Sequence, residues 1–109
     1  EWVTLKMNQT YWAIHYILTP DLDNPHFHSK FRSRFQLPYN SFKDLTMVKN
    51  NVMFHRWRLN STTNVKLCLL LLGALRYLGR NWCFNDLEEA TCISREVHRV
   101  FLENFKGRY

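Results

Sequence analysis

Apolar residues recur along this chain at steps of three and four, the period of an amphipathic helix, and no stretch alternates with period two for long enough to argue a strand. Near the start, Tyr11, His15 and Leu18, with Trp12 and Tyr16 beside them, keep helical spacing until Thr19-Pro20 ends the pattern. The acidic, proline-bearing stretch TPDLDNP reads as a loop whose last residues start the next helix: Asn24 can cap, and Pro25 suits the first helical position. From Pro25 to about Phe35, the rings of Phe27, Phe31 and Phe35 stack on one face, while His26, His28, Lys30, Arg32 and Arg34 fill the rest.

LPY interrupts this pattern, and Asn40 or Ser41 can cap a third helix whose Phe42, Leu45 and Val48 face inward and which ends near Asn50. In VMFHRWRLNSTTN no period holds; Phe54 and Trp57 need burial, Trp57 most simply as a core plug, and Asn60 to Asn64 is a polar loop. VKLCLLLLGALRYL, Val65 to Leu78, is apolar almost all the way round, with Lys66, Gly73 and Arg76 on the one remaining side, as befits the centre of a bundle. Gly79 fits the position just past its end, where a left-handed backbone costs glycine nothing.

Phe84, Leu87 and Ala90 then mark a helix of about two turns, joined through Thr91-Cys92-Ile93, with Ile93 as an apolar plug, to a last helix capped by Ser94. On that helix Val97, Val100, Phe101 and Phe105 gather on one side. Arg95, Arg99 and Lys106 fall within roughly 40° of one another on the opposite side, flanked by Glu96 and Glu103. The expected fold is all-α, a small bundle of about five helices containing a helix-turn-helix near the C-terminus. It forms one domain over 1–109: an N-terminal helix and loop over 1–23, two helices and a linker over 24–64, and the central helix with the helix-turn-helix over 65–109.

The 109 residues, 46% hydrophobic and 16% aromatic, suffice for one domain with a real core. Fifteen Lys and Arg against nine Asp and Glu leave a formal charge of +6, which favours phosphate backbones or acidic partners, though it says nothing of where the charges sit. Cys68, Cys83 and Cys92 are odd in number and form no C-x-x-C pair, so neither a disulfide framework nor a zinc knuckle is supported and a reducing setting is the default. The most apolar run, Leu67 to Leu72, is far short of the roughly 20 residues that span a bilayer, so no membrane span is expected. Because the chain opens with Glu1 rather than Met, a piece of a longer protein is expected.

Catalytic chemistry has little to stand on. His26-x-His28 reads as a solvated face rather than a metal pair, because two helical residues that far apart point their rings in different directions and no Cys or carboxylate cluster joins them; the basic residues of this helix can equally touch phosphate. Two-metal hydrolytic chemistry needs acidic groups converging on two ions about 4 Å apart, whereas Asp21, Asp23, Asp44, Asp86, Glu88 and Glu89 are scattered over caps and solvated faces. Gly73, Gly79 and Gly107 are isolated, so there is no phosphate-cradling loop. No cofactor and no metal are expected, and the chain is not expected to be an enzyme.

The helix-turn-helix plan, by contrast, has a direct use: its second helix lies in the major groove of double-stranded DNA while neighbouring cations hold phosphates. Ser94, Arg95, His98, Arg99 and Lys106 are the candidate DNA contacts. Two helices at a tight turn are also ordinary bundle anatomy, and two residues depart from the usual pattern: Cys92 stands where such turns place Gly, and Glu88 where the first helix has a small residue.

LLLLGALRYLGRNWCFNDLEEATCISREVHRVFLENF, together with the upstream KFRSRFQLPYNSF, resembles the N-terminal helical region of PIF/Harbinger-type transposases and the proteins derived from DDE superfamily endonucleases. The similarity runs from about Asn24 to Phe105, and its most specific parts are FRSRFQLPY, LGALRYLGR-x-W and the EAT-x-IS turn, with Asn81 standing where the family often has Gly. It implies a DNA-binding region that positions a following nuclease domain, a Myb-like partner protein that assists DNA recognition and nuclear entry, and a location in the nucleus. A different class of function, a helical protein-interaction module that docks a nuclease domain or partner without touching DNA, would present Trp2, Trp12 and Tyr16 on the surface.

Overall fold

The helix Val65–Arg80 is the axle of the molecule, and every position from Leu67 to Leu72 on it is buried. Such burial follows from its composition, since a helix that is apolar all round can only be satisfied by neighbours on all sides. The structure, a computed structural model, describes residues 6–46, 65–80 and 82–108, with side chains described for 6–46, 65–79 and 82–105. Among the described residues the fold is all-α with no strand: the helical residues 6–8 precede six further helical elements. They are a π-helix (Ala13–Leu18), α1 (Pro25–Phe35), α2 (Tyr39–Thr46), α3 (Val65–Arg80), α4 (Phe84–Thr91) and α5 (Arg95–Arg108). The π-helix, α1, α4 and α5 all pack on α3, while α2 packs on α1.

α1 keeps its expected bounds: Asn24 Oδ1 accepts from His26 N at 2.9 Å, and Pro25 occupies the first turn. Its phenylalanines feed an aromatic cluster in which Tyr16 meets Phe31 and Phe35 edge-on at ring separations of 5.5 and 5.4 Å, a favoured geometry for π systems. The Tyr39 hydroxyl donates to Tyr16 O at 2.7 Å, tying the start of α2 to the π-helix. Trp12 closes the cluster at the other end, edge-on to Phe35 and stacked on Trp82 at 5.6 Å.

Four local expectations are corrected. The first helix winds as a π-helix, with Thr19 N donating to Ile14 O five residues back at 2.9 Å, and it buries Trp12, Ala13 and Tyr16. Tyr11, His15 and Leu18 face outward instead, because only Trp12 and Tyr16 are aimed at the phenylalanines of α1. α2 begins at Tyr39, ahead of the expected Asn40 or Ser41 cap, and Phe42 N donates to Pro38 O at 3.1 Å; this start carries the Tyr39 ring into the core. Gly79 lies within α3, which continues to Arg80, and the left-handed positions are Gln36 at φ 62° and Cys92 at φ 60°. Gly73 is buried against α5 rather than lying on a polar side. Phe42 is buried and Leu45 is packed against the core, as expected. Val48, the end near Asn50, Phe54, Trp57 and the loop over 60–64 lie outside the described residues.

Candidate nucleic-acid interface

The junction of α4 and α5 is built around one hydroxyl. Thr91, the last residue of α4, has its Oγ1 within 2.8 Å of Leu87 O, 3.2 Å of Ile93 N and 2.7 Å of His98 Nε2. Its single proton goes to Leu87 O and Ile93 N–H donates to it, so the contact with His98 is carried by Nε2–H, which sets the tautomer of that ring. The next residue, Cys92, takes the left-handed conformation, φ 60° and ψ 23°, and its N–H donates to Glu88 O at 2.9 Å to close α4. The chain therefore turns at a residue that is not glycine, with Cys92 bearing the steric cost. Ile93 then drops into the core as the expected plug.

α4 is itself capped from ahead: Asp86 Oδ2 accepts from Cys83 N at 3.0 Å and from Cys83 Sγ at 3.3 Å, and these bonds hold the Asp86 carboxyl below the usual carboxylate range.

The start of α5 is held less by Ser94 than expected. Ser94 Oγ accepts from Val97 N at a long 3.4 Å, while Arg95 N donates to Glu88 Oε1 at 3.1 Å. Glu88, out of place as a small residue, thus caps the following helix with a negative charge at its positive end. The Arg95 guanidinium donates through Nη1 to Asn85 Oδ1, and its Nε is 4.0 Å from Glu88 Oε1. Arg99 is gripped on both sides, with Nε donating to Glu96 Oε1 at 3.1 Å, Nη1 to Glu103 Oε1 at 2.8 Å and Nη2 to Glu96 Oε2. The grip drives the Arg99 pKa further up and the Glu96 carboxyl down.

Of the expected contacts, Ser94 and Arg95 are exposed at the start of α5, and Arg99, half-buried, lies one turn further on. Lys106 is in the last turns of the same helix, and its side chain lies outside the described residues. His98 is a correction: it is 2% exposed and faces the core. With His98 and Leu102 joining Phe101 and Phe105, the buried face is turned by roughly 70° from the one expected, and the arginines stand at its shoulder rather than opposite it. Burial without a charged partner pushes the His98 pKa down to about 4, so the ring is neutral at pH 7.

What lets an imidazole sit there is Gly73 on α3. A Cβ at that position would come within 3.0 Å of both Cε1 and Nδ1 of His98. A lone glycine in an apolar helix signals a close approach, but which residue approaches is invisible along the chain. His26 is exposed and His28 Nε2 bonds Leu22 O at 2.8 Å; among the described residues no three metal-binding side chains are grouped. No helix among the described residues is long and apolar enough to cross a membrane.

Comparisons with protein-family models, curated proteins and solved structures find no match to this chain.

Proposed function

We propose that this chain is the DNA-binding N-terminal region of a PIF/Harbinger-type transposase, or of a protein derived from one, and that it acts on double-stranded DNA in the nucleus. The observation that carries the proposal is the α4–turn–α5 unit, in which Cys92 makes the left-handed turn, Ile93 anchors it, Ser94 and Arg95 stand exposed at the start of the second helix, and the half-buried Arg99 follows one turn on. That disposition suits a helix presented to a groove. In this reading the chain binds and does no strand chemistry; cutting and joining belong to a nuclease domain, and a Myb-like protein is a further partner.

The competing reading, a protein-docking module, loses the anchors first expected of it. Trp12 and Tyr16 are buried, and Trp2 lies outside the described residues. It keeps one observation, a row of exposed Tyr11, Ile14 and Leu18 along the π-helix with Leu22 beyond it.

The experiment that separates the two is fluorescence anisotropy on labelled duplex DNA across about 50 to 200 mM salt. Affinity falling steeply with salt is the expected result. An absence of binding at about 50 mM would overturn the DNA reading and leave the π-helix row as the surface to pursue.

A further inference from the structure

We propose that the outer face of α1, rather than the arginines of α5, supplies the principal phosphate contacts when this chain holds duplex DNA. The inference rests on the DNA-binding reading and assigns it a surface.

Charge decides between the two helices. From Cys83 to Arg108 there are four Lys and Arg against five Asp and Glu, and both Arg95 and Arg99 already face carboxylates of Glu88, Glu96 and Glu103. Binding to phosphate through these arginines would first break those pairs and then set carboxylates against a polyanion. α1 is the reverse, with Lys30, Arg32 and Arg34 and no acidic residue in its eleven positions. Among the described residues neither Lys30 nor Arg32 has a carboxylate within ion-pair reach, and the partner of Arg34 Nη1 is the neutral Tyr16 hydroxyl at 3.4 Å.

Placement matters as much as sign. Phe31 and Phe35 commit one side of α1 to the core, so at 100° per residue Ser29 and Ser33 stand opposite them, with Lys30 and Arg34 on one shoulder and Arg32 on the other. Those five residues are all exposed. Two small serines at the leading edge let α1 approach a phosphate backbone closely, and the cations on its shoulders flank that approach.

Helix stability alone does not account for this pattern. Arg32 and Arg34 lie in the last turn, where the negative end of the helix dipole favours cations and accounts for their charge. Lys30 is in mid-helix, and the first turn carries no acid. Of the acids flanking the helix in sequence, Asp21 and Asp23 precede its N-terminus, Asp23 roughly 10 Å along the axis from Lys30, and Asp44 lies on α2 with no ion pair to α1 among the described residues. The charge-complementary occupant is therefore a duplex polyanion lying along the C-terminal two-thirds of α1.

The test compares three proteins in the anisotropy series on labelled duplex DNA: the full chain, its Lys30→Gln/Arg32→Gln/Arg34→Gln variant and its Arg95→Gln/Arg99→Gln variant, each checked for helicity by circular dichroism. The slope of log affinity against log salt should fall in magnitude by about 2–3 for the α1 variant and by less than about 1 for the α5 variant. The single variant Lys30→Gln, which breaks no hydrogen bond in the structure, should by itself lower the slope by about 1 and guards against misfolding of the triple variant. If the full chain binds and the α1 variants keep its slope while the α5 variant loses it, the assignment to α1 is overturned and the DNA reading stands. If the full chain fails to bind at about 50 mM, both fall together.

Discussion

The ring of His98 on α5 lies against the bare Cα of Gly73 on α3, so close that a methyl group at Gly73 would sit 3.0 Å from two of its atoms. Gly73→Ala gains about 1 kcal/mol of helix preference but incurs the 1–3 kcal/mol typical of overpacking, since His98 of α5 and Leu87 of α4 both close on this position. The expected outcome is net destabilisation and a melting temperature several degrees lower, read by circular dichroism. An unchanged or higher melting temperature would mean that His98 swings away at little cost.

Thr91 holds the same junction through its hydroxyl. Thr91→Val keeps the shape but leaves Leu87 O, Ile93 N and His98 Nε2 without their shared partner. Its expected cost is about 2–3 kcal/mol in denaturant unfolding, whereas Thr91→Ser, which keeps the hydroxyl, should cost about 1 kcal/mol for the lost methyl group. Equal costs for the two variants would place the stabilisation in packing alone.

His98 makes stability depend on pH in a defined direction. Its folded pKa of about 4 lies below the ordinary 6.5, so between those values the unfolded chain binds a proton that the native state refuses. Stability should therefore hold from neutral pH down to about 6.5, fall by about 3 kcal/mol as pH drops to about 4, and lose nothing more from this residue below that. Chemical denaturation of the natural chain and of His98→Phe at pH 7 and pH 4.5 checks this; the histidine's share of the pH dependence should vanish in the variant.

Gln36 ends α1 in the left-handed conformation, φ 62°, with its side chain exposed. Gln36→Gly should stabilise the protein by about 0.5–1 kcal/mol, because glycine takes that conformation without a steric penalty. A destabilised variant would show that the Gln36 Nε2 bond to Ser33 O, 2.9 Å in the structure, outweighs the backbone term.

The carboxylates on α5 oppose an anion. Replacing Glu96 and Glu103 together by Gln frees Arg99 and removes two negative charges from that face. Duplex DNA affinity at about 50 mM salt should rise and the salt slope steepen by about 1. Indifference to the change would place this face away from DNA.

Much of the helical framework is legible without coordinates. The Asn24-Pro25 start and the Phe27, Phe31, Phe35 spacing define α1, the all-round apolar run from Val65 defines the buried axle, and Ile93 reads correctly as the plug of the last turn. These features are local: a cap, a period and a run of apolar side chains act through neighbours three or four residues away. The Thr91–His98–Gly73 junction is not local. A histidine one position from Arg99 looks like part of a polar face, and it turns inward only because a hydroxyl from α4 and an absent side chain on α3 arrive around it from elsewhere in the chain.

The same division separates charge from its use. Counting along the chain yields a basic protein and a stripe of arginines on the last helix; tertiary contact pairs those arginines with Glu88, Glu96 and Glu103 and leaves Lys30 and Arg32 of α1 without such partners among the described residues. Helical period and caps are properties of a segment, so residue order alone settles them. Which ring is desolvated, and which cation still has its field to offer a partner, depends on distances between segments, and these exist only once the chain has packed.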